Sequence, residues 1–89
     1  MASPVSWLLV EPGWRVEGTD GKELGSVEEV LGDKDADIFD GLAVLRGIGA
    51  LPRYVSADLV TGITDDGIVA VRLDAAGFER LPEHGPSGS

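Results

Sequence analysis

Short apolar runs alternate along this chain with glycines, prolines and acidic residues, and no run is long enough for an extended helix. That is the pattern of small β architecture. Residues 5–10 are expected as a first strand, closed by a turn at Glu11-Pro12-Gly13. Trp14-Arg15-Val16-Glu17 alternates apolar and charged side chains, as a half-buried strand does. Asp20-Gly21 follows, a dipeptide favoured in two-residue hairpin turns, where both central positions need positive φ.

The stretch 24–31 has two readings. Leu24, Val27, Val30 and Leu31 share a helical stripe, and strict alternation breaks at Glu28-Glu29. The preceding Asp-Gly turn, the internal Gly25 and the valines favour a strand. A β-bulge near Glu28-Glu29 reconciles the pattern, because one extra residue resets the facing of everything after it.

Residues 32–40 form an acidic loop, and Leu42-Ala43-Val44-Leu45 a short buried strand. A glycine-rich connection, 47–52, leads to a strand at Arg53-Tyr54-Val55-Ser56, where Ser56 is placed to cap one helical turn over 57–59. Residues 60–64 and 68–73 form a hairpin joined at Asp66-Gly67, with Val69, Val71 and Leu73 on one face and Arg72 on the other. Asp74 caps a short last helix whose inner face carries Phe78 and Leu81 and which ends before Pro82. The expected class is therefore mainly all-β: about six short strands rolled into a small barrel to hide their edges, with one helical turn and a short C-terminal helix. One domain spans 5–81, and 82–89 is expected as a flexible tail.

Composition changes the picture mainly by exclusion. The chain has 89 residues, 16 acidic against 7 basic, and a formal net charge of −9. Such a surface does not attract nucleic acid or anionic lipid, which need basic patches. There is no cysteine and one histidine, His84, so thiolate chemistry and cysteine-ligated metals are out and imidazole chemistry is restricted. No apolar run approaches the roughly 20 residues of a membrane span. Trp7-Leu8-Leu9-Val10 has no basic flank of the kind a signal peptide carries, and the expected compartment is the cytoplasm.

Candidate chemistry is thin. Asp33-Lys34-Asp35-Ala36-Asp37 begins as a calcium loop would, but the sixth position, normally Gly, is Ile38, and the twelfth, normally Glu, is Val44. Glu28-Glu29 and Asp65-Asp66 are adjacent pairs, which strands point to opposite faces. His84 falls in the expected tail, where no nucleophile is held within its reach. No catalytic residue, metal site or cofactor is expected, and the chain is read as a non-enzyme. Arg53, Tyr54 and Trp7 are the residues most suited to a protein interface, by type and position.

The order of features resembles the PRC-barrel family over roughly residues 12–73. The resemblance is carried by Pro12-Gly13-Trp14-Arg15-Val16, by Asp20-Gly21-Lys22-Glu23-Leu24-Gly25-Ser26-Val27-Glu28-Glu29-Val30, by Gly41-Leu42-Ala43-Val44 and by Arg53-Tyr54-Val55-Ser56-Ala57-Asp58-Leu59-Val60. Members often have Pro where Ser56 stands here. The resemblance implies a strongly bent β-barrel, with 24–31 as strand, and a docking or assembly role without a catalytic constellation. The partner is then a protein, including a second copy of the chain as homodimer or higher. Two alternatives remain: a ribosome-maturation-type factor docking on a basic ribosomal protein, and a weak cation or small-ligand binder using the 33–40 loop.

Overall fold

The computed structural model describes residues 5–47 and 50–83. Six strands form one sheet in the order β4-β3-β2-β1-β6-β5. They are β1 (Arg15–Glu17), β2 (Glu23–Asp33), β3 (Ile38–Leu45), β4 (Arg53–Ser56), β5 (Val60–Thr64) and β6 (Ile68–Val71). A short helix, α1 (Ala75–Glu79), follows, and 3-10 turns occupy Trp7–Leu9 and Ala57–Leu59. Neighbouring strands run antiparallel except β1 and β6, which pair in parallel.

The mainly β class is as the apolar pattern predicts, but no ladder closes the sheet. Its two outer strands, β4 and β5, are consecutive in the chain, separated only by the 3-10 turn Ala57–Leu59. A turn of three residues spans about 6 Å, so the sheet must curl until its opposite edges meet at that turn. The Arg72 amide donates to the Leu59 carbonyl at 2.8 Å and pins the corner to the end of β6. Both edges are partly covered, which blunts pairing with other chains. Val5 donates its amide to Ile63 on β5 at 2.9 Å. On β4, Tyr54 donates to the Pro82 carbonyl at 2.9 Å, and Arg53 bridges to Glu83. Pro82 and Glu83, expected in the tail, are thus tied to the sheet; residues 84–89, with the expected tail and His84, lie outside the described residues.

The curl encloses one core. Val16, Leu42, Val44, Val55, Val69 and Phe78 are fully buried, each stabilising by about 1.5–3 kcal/mol relative to exposure. Phe78 comes from α1, whose Asp74 side chain accepts from the Gly77 amide at 2.7 Å, the cap the sequence predicts.

The expected bulge is present: the β2–β3 register shifts between Val27 and Glu29. Both Asp-Gly turns differ from the two-residue form expected for Asp20-Gly21. Gly18 donates to Lys22, and Gly21 back to Gly18, closing a three-residue loop in which Gly21 has φ of 77°. Gly67, at φ of 84°, ends the equivalent loop between Thr64 and Ile68. Only the glycine of each dipeptide enters the left-handed region, as a type I turn followed by a bulge requires.

Two further expectations need correction. Residues 5–10 are not a strand: the Ser6 hydroxyl accepts from the Leu8 amide at 3.2 Å and starts the 3-10 turn instead. Ser56, by contrast, stands at the cap position of the second turn without making a capping bond. Its hydroxyl donates to the Asp58 carboxylate, a charged acceptor that competes well with any backbone partner.

Candidate interaction surface

The acidic loop is shorter than expected, because β2 and β3 run through most of it and leave only residues 34–37 as the turn. β1 pairs with β2 only through residues 23–26, and β4 with β3 only through 41–44. Beyond those points the hairpin continues as an arm, paired to itself. Its turn is built by Asp33, whose carboxylate accepts from the amides of Asp35 and Ala36 at 3.0 and 3.3 Å. Asp37 takes the left-handed conformation, φ 54°, which aspartate tolerates better than most residues.

Trp7 is seated on this arm. Its ring stacks on Phe39, with centroids 5.0 Å apart, and its indole N–H donates to Asp37 Oδ1 at 2.9 Å. The side chain is half-buried, so Trp7 serves as the fastener of the first 3-10 turn and is not a free anchor. The residues around it are left bare. Leu8 is 38%, Leu9 56% and Ile38 59% exposed. Leu8 and Leu9 follow Trp7 directly, while Ile38, next to Phe39 in β3, turns to the opposite face of the strand.

Arg53 and Tyr54 lie on edge strand β4, half-buried and engaged within the chain. Arg53 donates to the Leu81 carbonyl at 2.8 Å and stands 4.0 Å from Glu79, beside a depression of about 330 Å³ lined also by Arg46, Leu51 and Phe78. Its role in the fold is to hold the segment after α1 against the sheet. The Tyr54 hydroxyl donates to the Asp40 carbonyl at 3.0 Å. Partial burial, reinforced by the negative charge of Asp40, pushes the Tyr54 phenol above its ordinary pKa. Asp58 is held below the usual carboxylate range, chiefly by the Ser56 hydroxyl, with help from Arg72. Arg53 and Tyr54 therefore adjoin one another on β4, while Trp7 sits on the arm.

Leu8, Leu9, Ile38 and Phe39 do not stand out in the sequence as surface residues. Their types favour burial, and only the tertiary arrangement shows which of them is covered. Among the described residues no three His, Cys, Asp or Glu side chains gather as metal ligands would. No helix among them is long and apolar enough to cross a membrane. No protein-family model matches the chain, and no curated protein matches it either.

Proposed function

We propose that this chain is a non-enzymatic protein-interaction module, similar in plan to PRC-barrel domains, that docks through the end formed by the Trp7–Leu9 turn and the β2–β3 arm. The observation that supports this reading is the exposure of Leu8 and Leu9 on a turn that Trp7 fixes in place.

Self-association is one form of this role, and a domain of this size gains stability from it. Light scattering from micromolar to millimolar concentration tests that form: a dimer supports it, and a strict monomer throughout removes it. The acidic arm favours a second form, a factor docking on a basic protein such as a ribosomal one. Co-sedimentation with ribosomal subunits that is lost at high salt is the expected result there, and no co-sedimentation at low salt removes it.

A further inference from the structure

We infer that a cleft beside Trp14, on the outer face of the sheet, is a binding site for a neutral sugar ring. Sugar binding there is independent of docking through the Trp7–Leu9 turn. The cleft measures about 570 Å³, and its lining includes Trp14, Arg15, Glu23, Ser26, Asp66 and Gly67. Small-molecule sites run from roughly 300 to 1,000 Å³. Val16 turns its side chain into the core, so its neighbour Arg15, and Ser26 opposite Arg15 in register, stand on the outer face.

The cleft has a flat apolar wall. Trp14 is half-buried, and Gly67 passes over its five-membered ring. A Cβ at Gly67 would stand 3.9 Å from Cγ and Cδ2 of the indole and 4.0 Å from Cδ1. Those near-equal distances put the missing side chain over the ring face, so glycine keeps the backbone close to the indole without filling the cleft. An indole face packs against apolar groups, and the ring C–H groups of a pyranose present them. Polar groups of both signs surround that wall. Arg15 Nη1 lies 3.5 Å from Glu17 and Arg15 Nε 3.4 Å from Glu23, while the Asp66 carboxylate accepts from the Thr64 hydroxyl. These contacts arrange donors and acceptors before a ligand arrives, which lowers the ordering cost of binding. A cationic ligand meets Arg15 here, and an anionic one meets Glu23 and Asp66. A hydroxyl both donates and accepts, so neighbouring hydroxyls of an uncharged sugar satisfy the carboxylates and the guanidinium together.

The test follows the indole N–H resonances of the chain's two tryptophans in the intact protein. The methyl glycosides of glucose, galactose, mannose and N-acetylglucosamine are added singly, each to about 50 mM, since an open site holds one sugar ring with a Kd of about 1–10 mM. At least one glycoside should move the Trp14 resonance and leave that of Trp7 in place. The effect should be equal at low and high salt, because an uncharged ligand gives screening nothing to act on. Gly67→Asn tests the wall: asparagine tolerates the left-handed φ of 84° at this position and lays its amide across the indole. Binding should weaken by about tenfold or more, as loss of a central contact does. Glu23→Gln and Asp66→Asn should each weaken it by about threefold to tenfold. Leu51→Ser, at an exposed leucine before β4, should bind as the parent does; circular dichroism confirms that the variants fold. A Trp14 resonance that no glycoside moves, an equal movement of Trp7, or parent-like binding by Gly67→Asn overturns the proposal. If Gly67→Asn does not fold, parent-like binding by both carboxylate variants overturns it instead. So does tetramethylammonium that moves the Trp14 resonance at lower concentration than every glycoside, because the wall then seats a cation.

Discussion

The indole of Trp7 lies on the ring of Phe39 with planes only 12° from parallel, and the same indole N–H is bonded to Asp37 two residues before that ring. One side chain from the start of the chain thus grips the arm twice, once through its face and once through its edge. The stack fixes the orientation of a turn that has only three residues and no buried side chain of its own. Aromatic pairs of this geometry contribute about 0.5–1.5 kcal/mol beyond the area they bury.

A double-mutant cycle over these rings follows from that contact. Trp7→Ala and Phe39→Ala should each lower unfolding stability, Trp7→Ala by about 2 kcal/mol. Together they should cost less than their sum by about 1 kcal/mol, the coupling of rings in contact. Urea unfolding of the parent, both single variants and the double variant checks it.

Gly41 is predicted to resist substitution although its φ is ordinary. A Cβ there would stand 2.3 Å from the Val55 carbonyl oxygen and 3.0 Å from the Tyr54 ring. Backbone of β4 cannot retreat from β3 without breaking the ladder, so Gly41→Ala should destabilise by about 2–3 kcal/mol, as overpacking does. Gly62→Ala is the matched control, since a Cβ at Gly62 meets nothing within 4 Å; it should unfold close to the parent.

Tyr54 predicts a pH dependence with a definite sign. Its phenol is raised above the ordinary value of about 10, so the folded chain holds this proton more firmly than the unfolded chain. The contribution is therefore complete below about pH 10 and falls as pH rises from there through the folded value. Tyr54→Phe should cost about 1 kcal/mol at neutral pH for the bond to the Asp40 carbonyl, and the gap between parent and variant should narrow as pH rises past about 10. Unfolding curves for both chains at neutral and alkaline pH check it.

Arg53 predicts a local effect at the covered edge. Its guanidinium holds the Leu81 carbonyl, and the next residue, Pro82, accepts the Tyr54 amide. Arg53→Gln should loosen that segment and speed hydrogen exchange at the Tyr54 amide by about tenfold, equivalent to one lost charge-assisted bond. The amide of Val16, in the middle of the sheet, should be little changed.

Much of the fold was legible because its signals are local. The short apolar runs and the glycines and turns that bound them mark all six strands, β4 and β5 to the residue, and Glu28-Glu29 marks the bulge. The two Asp-Gly dipeptides marked their turns but not the loop length, since the register of the flanking strands decides between two residues and three. Residues 5–10 are ambiguous in sequence because Val-Ser-Trp-Leu-Leu-Val suits a strand or a turn equally. The contact that decides it, with Asp37, lies 30 residues away. The interaction surface was less legible for the same reason. Trp7, Arg53 and Tyr54 stand out by residue type, yet all three are engaged within the chain. Leu8, Leu9 and Ile38 look like core residues until the tertiary arrangement leaves them outside.

The end formed by the Trp7–Leu9 turn and the β2–β3 arm is the docking face we propose. Amide chemical shifts recorded while a helical peptide of leucine and lysine, about 18 residues long, is added test it most directly. The prediction is a set of shifts confined to Leu8, Leu9 and the arm residues around Asp37 and Ile38, absent from the same titration of L9S/I38S. Shifts centred on β4 and α1, or spread evenly over the acidic surface, would contradict it.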